Sequence, residues 1–490
     1  MTLDPRTPVL VGCAAAGQRL DDPGAAKEAV GLMVAACEAA AADASSADLL
    51  RAAATIAVPK GSWSYQDAAH LVATAIGASH ARTVRAELGV LQTTPLARAA
   101  DAIARGELDV ALVVGGEARW RGVRAGITGN AAPETDDAGA VPDEIVAPEG
   151  MIISNEEIAA GLVSAVSHYA MIENARRRAD RQSLDDHAAA VAELWSRFSL
   201  VARDNPDAWN RQPMSPDEIR RPGPRNKPLA WPYNKWHNSQ WNVDQAACLI
   251  LCSAEAARAH GVPTDRWVFP LSIAQSNHMV PVSRRRQIHR VPGFALAAAT
   301  ALGLAGVEID GVAHVDLYSC FPIAVRTQAL ELGLGPERSL TITGGMTFAG
   351  GPFNNYVLQS TTRMAQVLRA DPSAIGLVTA ISGMITKQAV SLWSAAPPAD
   401  GYHSADVSAE VAAATSEVPS GPATTGPATV ATYTVLAAPA GASRAVVLAD
   451  QPDGSRSIAA STDPALATRM TSEEWCGRPI ELDGAGGFTA

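Results

Sequence analysis

Nowhere in its 490 residues does this chain hold an apolar run of about 18 residues, the length a membrane-spanning helix needs. Its start, Met1-Thr-Leu-Asp-Pro, has no charged segment leading into an apolar one, so no secretory signal is expected. Basic residues are too few and too scattered to track a phosphate backbone. The 39 Lys and Arg against 50 Asp and Glu give a net charge of −11, and nucleic acid is not an expected partner. The six cysteines, Cys13, Cys37, Cys248, Cys252, Cys320 and Cys476, show no metal-type spacing. The one close pair, Cys248 and Cys252, brackets the apolar run Ala246–Leu251 and reads as buried thiols, with the cytoplasm as the expected compartment. The glycine pairs Gly115-Gly116 and Gly344-Gly345 lack the Gly-x-Gly-x-x-Gly spacing, so no dinucleotide site is expected.

Hydrophobic residues make up 47 % of the chain, enough for two or three domains with full cores. Strand and helix signals alternate from residue 8. Pro8–Cys13, Ala53–Val58, Arg82–Leu88 and Asp109–Val114 read as strands, and Ala25–Ala42, Asp67–Ile76 and Ala97–Ala104 as helices. Apolar strands separated by helices predict a parallel sheet covered on both faces. A second series has strands at Trp267–Ile273, Val312–Leu317, Ile375–Ala380 and Ala389–Trp393, with helices at Gly293–Leu302, from Pro322, and at Tyr356–Leu368. The two series end alike, which predicts two tandem α/β halves.

Between the halves lies an insertion with helices at His168–Arg181 and Leu184–Val201 and an aromatic, Pro-rich stretch, Pro222–Trp241. After Trp393 an Ala/Pro/Ser/Thr/Gly segment predicts a flexible linker. Alternating segments Val430–Val435, Arg444–Leu448 and Pro479–Leu482, with a turn at Gln451-Pro-Asp-Gly454, predict a small β-barrel. The expected units are 1–119, 120–245 (insertion), 246–395, 396–428 (linker) and 429–490 (barrel, OB-like).

Five phrases occur in order across about 8–395: Ala102-Ile-Ala-Arg-Gly-Glu-Leu-Asp-Val-Ala-Leu-Val-Val-Gly-Gly-Glu117, His168-Tyr-Ala-Met171, Val243-Asp-Gln-Ala-Ala-Cys-Leu-Ile-Leu-Cys-Ser253, Tyr318-Ser-Cys-Phe321 and Gly344-Gly-Met-Thr-Phe-Ala-Gly-Gly-Pro352. Together they resemble the thiolase superfamily, whose members include the acetyl-CoA acetyltransferases. With the extra C-terminal segment, the resemblance is to the thiolase-like proteins of type 1, related to the sterol-carrier-protein-2 thiolases. It implies the layered αβαβα thiolase fold, a loop domain at 120–245, and coenzyme A or an acyl-CoA as ligand, with no covalently bound cofactor.

Claisen-type acyl exchange needs an acyl-accepting thiolate, a histidine that activates it, an oxyanion-hole residue and a second cysteine that moves the α-proton. Counted from the surrounding phrases, these positions hold Gly89, Gly351, Tyr318 and Ala380. Thr93 and Thr94, nearest to Gly89, read as a helix cap before Pro95. The resemblance therefore implies ancestry without the family's acyl transfer. Tyr318 and Tyr356 remain as candidate catalytic residues. Asn354 reads as a cap, Tyr356 alternatively as core, and Cys320 as a packing residue. Tyr233, Lys235, His237, Asn238, Gln240 and Asn355 are candidate coenzyme A contacts. Arg176, Arg177, Arg178 and Arg181 could take its phosphates or form a solvated helix face. Two functions stay open. One is an acyl-CoA binder in lipid metabolism. The other is a retro-aldol C–C lyase on a β-hydroxyacyl-CoA of lipid or steroid side-chain catabolism, with Lys235 as the cation lowering a tyrosine's pKa. Both homodimer and monomer are compatible with the sequence.

Overall fold

The computed structural model describes residues 3–438 and 443–490. Its first sheet orders the strands Pro8–Gln18, Asp244–Ser253, Val110–Ala118, Thr55–Pro59, Arg82–Ala86 and Glu144–Val146. The expectation of a parallel sheet is corrected here. Asp244–Ser253 runs antiparallel to both neighbours, and only the strands beyond Val110–Ala118 are parallel. An antiparallel strand needs no crossover helix, and the long insertion delivers this one to the sheet's interior, between Pro8–Gln18 and Val110–Ala118, where all of its residues are buried.

The second sheet orders His314–Asp316, Ile375–Ser382, Lys387–Ser394, Phe269–Ser276 and His403–Asp406. Helices Thr94–Ala104 and Tyr356–Ala370 touch strands of both sheets and form the layer between them. Helix Ala29–Asp43 covers the outer face of the first sheet and Pro292–Ala305 that of the second, giving the αβαβα order of layers. Local signals account for the element ends. Asp67 accepts a bond from His70 N (3.0 Å) to start Ala68–Ile76, and Gly77, at φ +76°, ends it. Thr93 holds the cap position of Thr94–Ala104 without a side-chain cap bond, and the Thr94 hydroxyl instead donates to Gln275 Oε1 at 3.0 Å.

The linker reading of 396–428 fails at its centre. His403–Asp406 pairs in parallel with Phe269–Ser276 as the edge of the second sheet, Ser408–Ala414 is helical, and Tyr402, Val407, Val411 and Val418 are buried. Four apolar side chains spaced along a small-residue segment suffice to dock it. The C-terminal segment forms an antiparallel sheet ordered Arg456–Ser461, Arg444–Asp450, Thr425–Leu436, Pro479–Asp483 and Phe488–Thr489. Its two ends meet where Ala460 N donates to Gly486 O at 2.9 Å, and its core includes Tyr433, Met470 and Trp475. It is not a separate appendage. Strand Pro228–Ala230 of the insertion pairs with Leu436, and Asn174 Nδ2 donates to Tyr433 O at 2.9 Å. Among the described residues no helix is long and apolar enough to cross a membrane.

Candidate functional site

Between the two sheets, the loop before helix Thr94–Ala104 carries Gly89 at φ +99°, in the left-handed region that favours glycine. A Cβ there would lie 2.9 Å from Ile152 Cδ1 and 3.1 Å from Pro148 Cβ. The Gly89 carbonyl accepts from the buried Lys387 Nζ at 3.3 Å, and the same amine donates to Glu149 O at 3.1 Å. Burial holds the Lys387 ammonium below its usual pKa, with Glu149 opposing. At Gly351 a Cβ would overlap the Ser239 hydroxyl, and Ala380 is buried in the second sheet opposite Ala389. Side chains of Ile152, Pro148 and Ser239 thus fill the space beside Gly89 and Gly351.

Tyr318 and Tyr356 do meet there, edge to face, with ring centroids 5.7 Å apart. Tyr318 follows strand His314–Asp316, and its hydroxyl accepts from Gln92 Nε2 at 3.3 Å. Gln92 Oε1 in turn accepts from Val357 N (2.8 Å) at the start of helix Tyr356–Ala370. The Tyr356 hydroxyl lies 2.6 Å from Thr343 Oγ1 and donates to Asp316 Oδ2 at 3.2 Å. Asp316 is a hub. It also accepts from the Thr341, Thr343 and Ser360 hydroxyls and from the amides of Ile342 and Thr343, at 2.6–3.2 Å. Burial pushes both phenols above the ordinary tyrosine value, most strongly Tyr356, where Asp316 adds to it. Both are therefore hydrogen-bond donors, not bases. Lys235 is exposed and lies over the Trp236 ring at 5.0 Å, so it is not the cation that would lower a buried phenol. Asn354 is not the cap residue. Asn355 holds that position without a cap bond and donates to Gly115 O at 2.9 Å.

The candidate contacts in the insertion divide. Tyr233 and His237 line a cavity of about 350 Å³ between helices Ala165–Ala179 and Leu184–Asp204, the Pro228–Ala230 strand and the C-terminal sheet. Its walls are largely apolar, with Leu184, Ala188, Val191 and Val435 among them. Three buried polar atoms on lining residues have no partner among the described residues: Asn174 Oδ1, Arg177 Nε and Trp231 Nε1. Asn238 and Gln240 are instead spent on local backbone carbonyls, Asn238 on Asn234 O (2.5 Å) and Gln240 on Asn238 O (2.9 Å).

Behind Tyr233 stands a network that sequence reasoning missed. Glu173, fully buried, accepts from the Tyr233 hydroxyl (2.6 Å), pairs with His187 Nε2 (2.9 Å) and is bonded by Arg326. Burial alone would raise its pKa, but Arg326, His187 and Tyr233 together hold it down at about 2. His237 accepts from Asn234 N on Nδ1 (3.0 Å), and burial lowers its pKa to about 4, so it is neutral. The signal was a Glu on the apolar face of a helix, legible only once its partners, 14 and 153 residues away, are known.

Arg177 corrects the solvated-face reading. It is buried and makes a two-pronged pair with Glu474 of the C-terminal segment, at 2.6 and 2.9 Å. Arg178 and Arg181 are exposed, form no ion pair among the described residues, and border an adjoining groove of about 810 Å³ that shares Arg177 and Leu184 with the first cavity.

No family model matches this chain, and no curated protein does. Solved structures do. Human mitochondrial 3-ketoacyl-CoA thiolase, solved in complex with CoA, superposes with a TM-score of 0.55 at 15 % identity, over 80 % of this chain and 99 % of that one. The Ltp2-ChsH2(DUF35) aldolase gives 0.57 at 17 % identity, over 79 % and 98 %. At these identities the likeness is one of fold. The sheet order, the layers and these superpositions show that the chain has the thiolase fold. Its likeness to a monomeric SCP2-thiolase-like protein type 1 from Mycobacterium smegmatis goes further, with a TM-score of 0.82 at 28 % identity over 100 % of both chains, C-terminal sheet included.

Proposed function

We propose that this chain binds coenzyme A or an acyl-CoA ester between its insertion and its C-terminal sheet and does not carry out Claisen acyl transfer. One observation carries the reading. An apolar cavity holding unpartnered donors and an acceptor adjoins a groove bearing two unpaired arginines. The acyl or pantetheine arm lies in the cavity, where Trp231 Nε1 and Asn174 Oδ1 match the carbonyl and N–H of an amide. The phosphates lie toward Arg178 and Arg181, whose guanidinium forks suit them. Against Claisen transfer speaks the crowding at both positions, where a Cβ at Gly89 would meet the Ile152 and Pro148 side chains and one at Gly351 the Ser239 hydroxyl. Six unpaired, buried thiols fit a cytoplasmic protein of lipid metabolism. Calorimetric titration with coenzyme A and a series of acyl-CoA esters tests this. Binding should weaken about tenfold or more in Arg178→Glu/Arg181→Glu, since each charge-assisted contact is worth about 1.5–3 kcal/mol. Val191→Trp should block the acyl arm. No binding of any ester by the native chain would end the reading.

The second reading, a retro-aldol lyase on a β-hydroxyacyl-CoA, is favoured by the tyrosine pair as donors to an enolate oxygen, with the Asp316 carboxylate behind Tyr356 as the group that would accept the β-hydroxyl proton through it. Aldehyde or ketone release that falls in Tyr356→Phe would support it. Inactivity of the native chain on every chain length tried would sink it.

A further inference from the structure

On the far side of the second sheet the chain carries Ser283-Arg-Arg-Arg286 and Arg290, a local basic cluster in a protein of net charge −11. Arg285, Arg286 and Arg290 border a cavity of about 140 Å³ at the start of helix Pro292–Ala305. Its lining includes three guanidiniums, Arg285, Arg286 and Arg290, and no carboxylate. Gln388, fully buried on strand Lys387–Ser394, lines it with both its Nε2 and Oε1 unpartnered among the described residues, and Arg285, also buried, with its Nη1 unpartnered. His278 Nε2 is a third such group. The other nitrogens of Arg285 serve the carbonyls of Val280 (3.2 Å) and Met384 (2.5 Å), so the guanidinium is fixed with one edge toward the cavity. Gly293, in the first turn of the helix, packs so closely on Gln388 that a Cβ would overlap its amide. Glu331 lies behind this wall, paired with Arg290 at 2.6 and 2.9 Å and accepting from Val291 N at 3.0 Å. Arg286 donates to Glu417 O at 3.1 Å and has no carboxylate partner among the described residues. Val411, Ala414, Thr415 and Ser416 close the opposite wall.

We propose that this cavity binds a small oxyanion, a phosphate or phosphate-like group, either free or as the end of a larger ligand. A helix start, a fixed and incompletely bonded guanidinium, a second, exposed one and a buried amide with spare donors converge on a space large enough for a tetrahedral anion. Neither the thiolase chemistry nor the proposed acyl-CoA cavity uses any of these residues. A neutral ligand would leave Arg285 Nη1 and the Arg286 charge unmatched, and an apolar one would leave Gln388 unmatched as well.

The test titrates the full chain with sodium phosphate against sodium chloride of equal ionic strength, by calorimetry, in the native protein and in Arg286→Gln and Gln388→Met. Saturable phosphate binding should weaken about tenfold or more in each variant. In chloride alone Gln388→Met should melt no lower than the native chain, because it removes an unsatisfied buried amide at nearly constant volume, and this separates lost binding from lost folding. A second arm compares coenzyme A with dephospho-coenzyme A. If the variants weaken only the former, the site takes that ligand's 3′-phosphate. If they weaken neither while inorganic phosphate binding is lost, it takes a free oxyanion. Phosphate binding that is absent or unaltered in both variants, together with unaltered coenzyme A binding, overturns the proposal.

Discussion

Replacing Glu474 by Gln should loosen the C-terminal sheet from the insertion by a predictable amount. Arg177 is 1 % exposed, and its two bonds to Glu474 are its main partners, with Gln182 O a poor third at 3.4 Å. Removing the charge of one partner in a buried pair costs about 3–5 kcal/mol, because the other is left uncompensated. The Glu474 side chain is 31 % exposed, so water screens part of the loss, and about 2–3 kcal/mol is the expected cost. Amides of strand Thr425–Leu436 should then exchange about 30–150 times faster through local opening, read by hydrogen exchange and mass spectrometry. The double variant Arg177→Met/Glu474→Gln should recover most of the loss, since an apolar pair needs no compensation. The reasoning is refuted if the double variant opens as readily as Glu474→Gln, for the cost would then lie in packing and not in charge.

Gly89→Cys/Gly351→His should be destabilised, at Gly89 by about 1–3 kcal/mol for a side chain at positive φ, and should not cleave acetoacetyl-CoA. A turnover of about one per second would show that the site can be re-armed. In acid, stability should fall in two stages followed by circular dichroism. The folded pKa of His237 lies near 4, below the unfolded value of about 6.5, so its contribution, about 3 kcal/mol, is complete above pH 6.5 and is lost as pH falls toward 4. Glu173, and Glu157, a buried carboxylate that accepts from the Ser154 and Ser283 amides beside His168, are held near 2; they keep their contribution above about pH 4.5 and lose it between there and about pH 2. His237→Gln should flatten the first stage alone. Limited proteolysis should spare 403–418, which is paired and docked, and early cleavage there would contradict the edge-strand assignment. Light scattering should find a monomer, because Glu144–Val146 occupies the edge beside Arg82–Ala86 where a second copy could add a strand.

The alternating halves were legible because buried strands announce themselves as short apolar runs, as Asp109–Val114 does inside Val110–Ala118. Gly89 and Gly351 could be placed by counting from neighbouring phrases, but the side chains that crowd them could not. The direction of Asp244–Ser253 was not, since an apolar run carries no arrow. Residues 396–428 were misread because Ala, Ser and Pro look like linker when only a few apolar positions, Tyr402, Val407, Val411 and Val418 among them, dock them. Composition measures bulk, and an edge strand needs backbone pairing more than bulk. The insertion's candidates split for a related reason. Tyr233 and Lys235 are neighbours in sequence, but the short strand and turn send one into the Glu173 network and the other into water.

The pair between Arg177 and Glu474 spans 297 positions of chain. At about 5–20 residues per second, the ribosome needs about 15–60 s to make the second partner after the first. Throughout that interval the helix Ala165–Ala179 carries a guanidinium whose buried place does not yet exist, along with an asparagine whose bond to Tyr433 must wait almost as long. The insertion is therefore obliged to stay hydrated, or to be held, until the final segment arrives. A transcript cut short just before Glu474 would yield a chain whose defect lies some 300 residues upstream of the break.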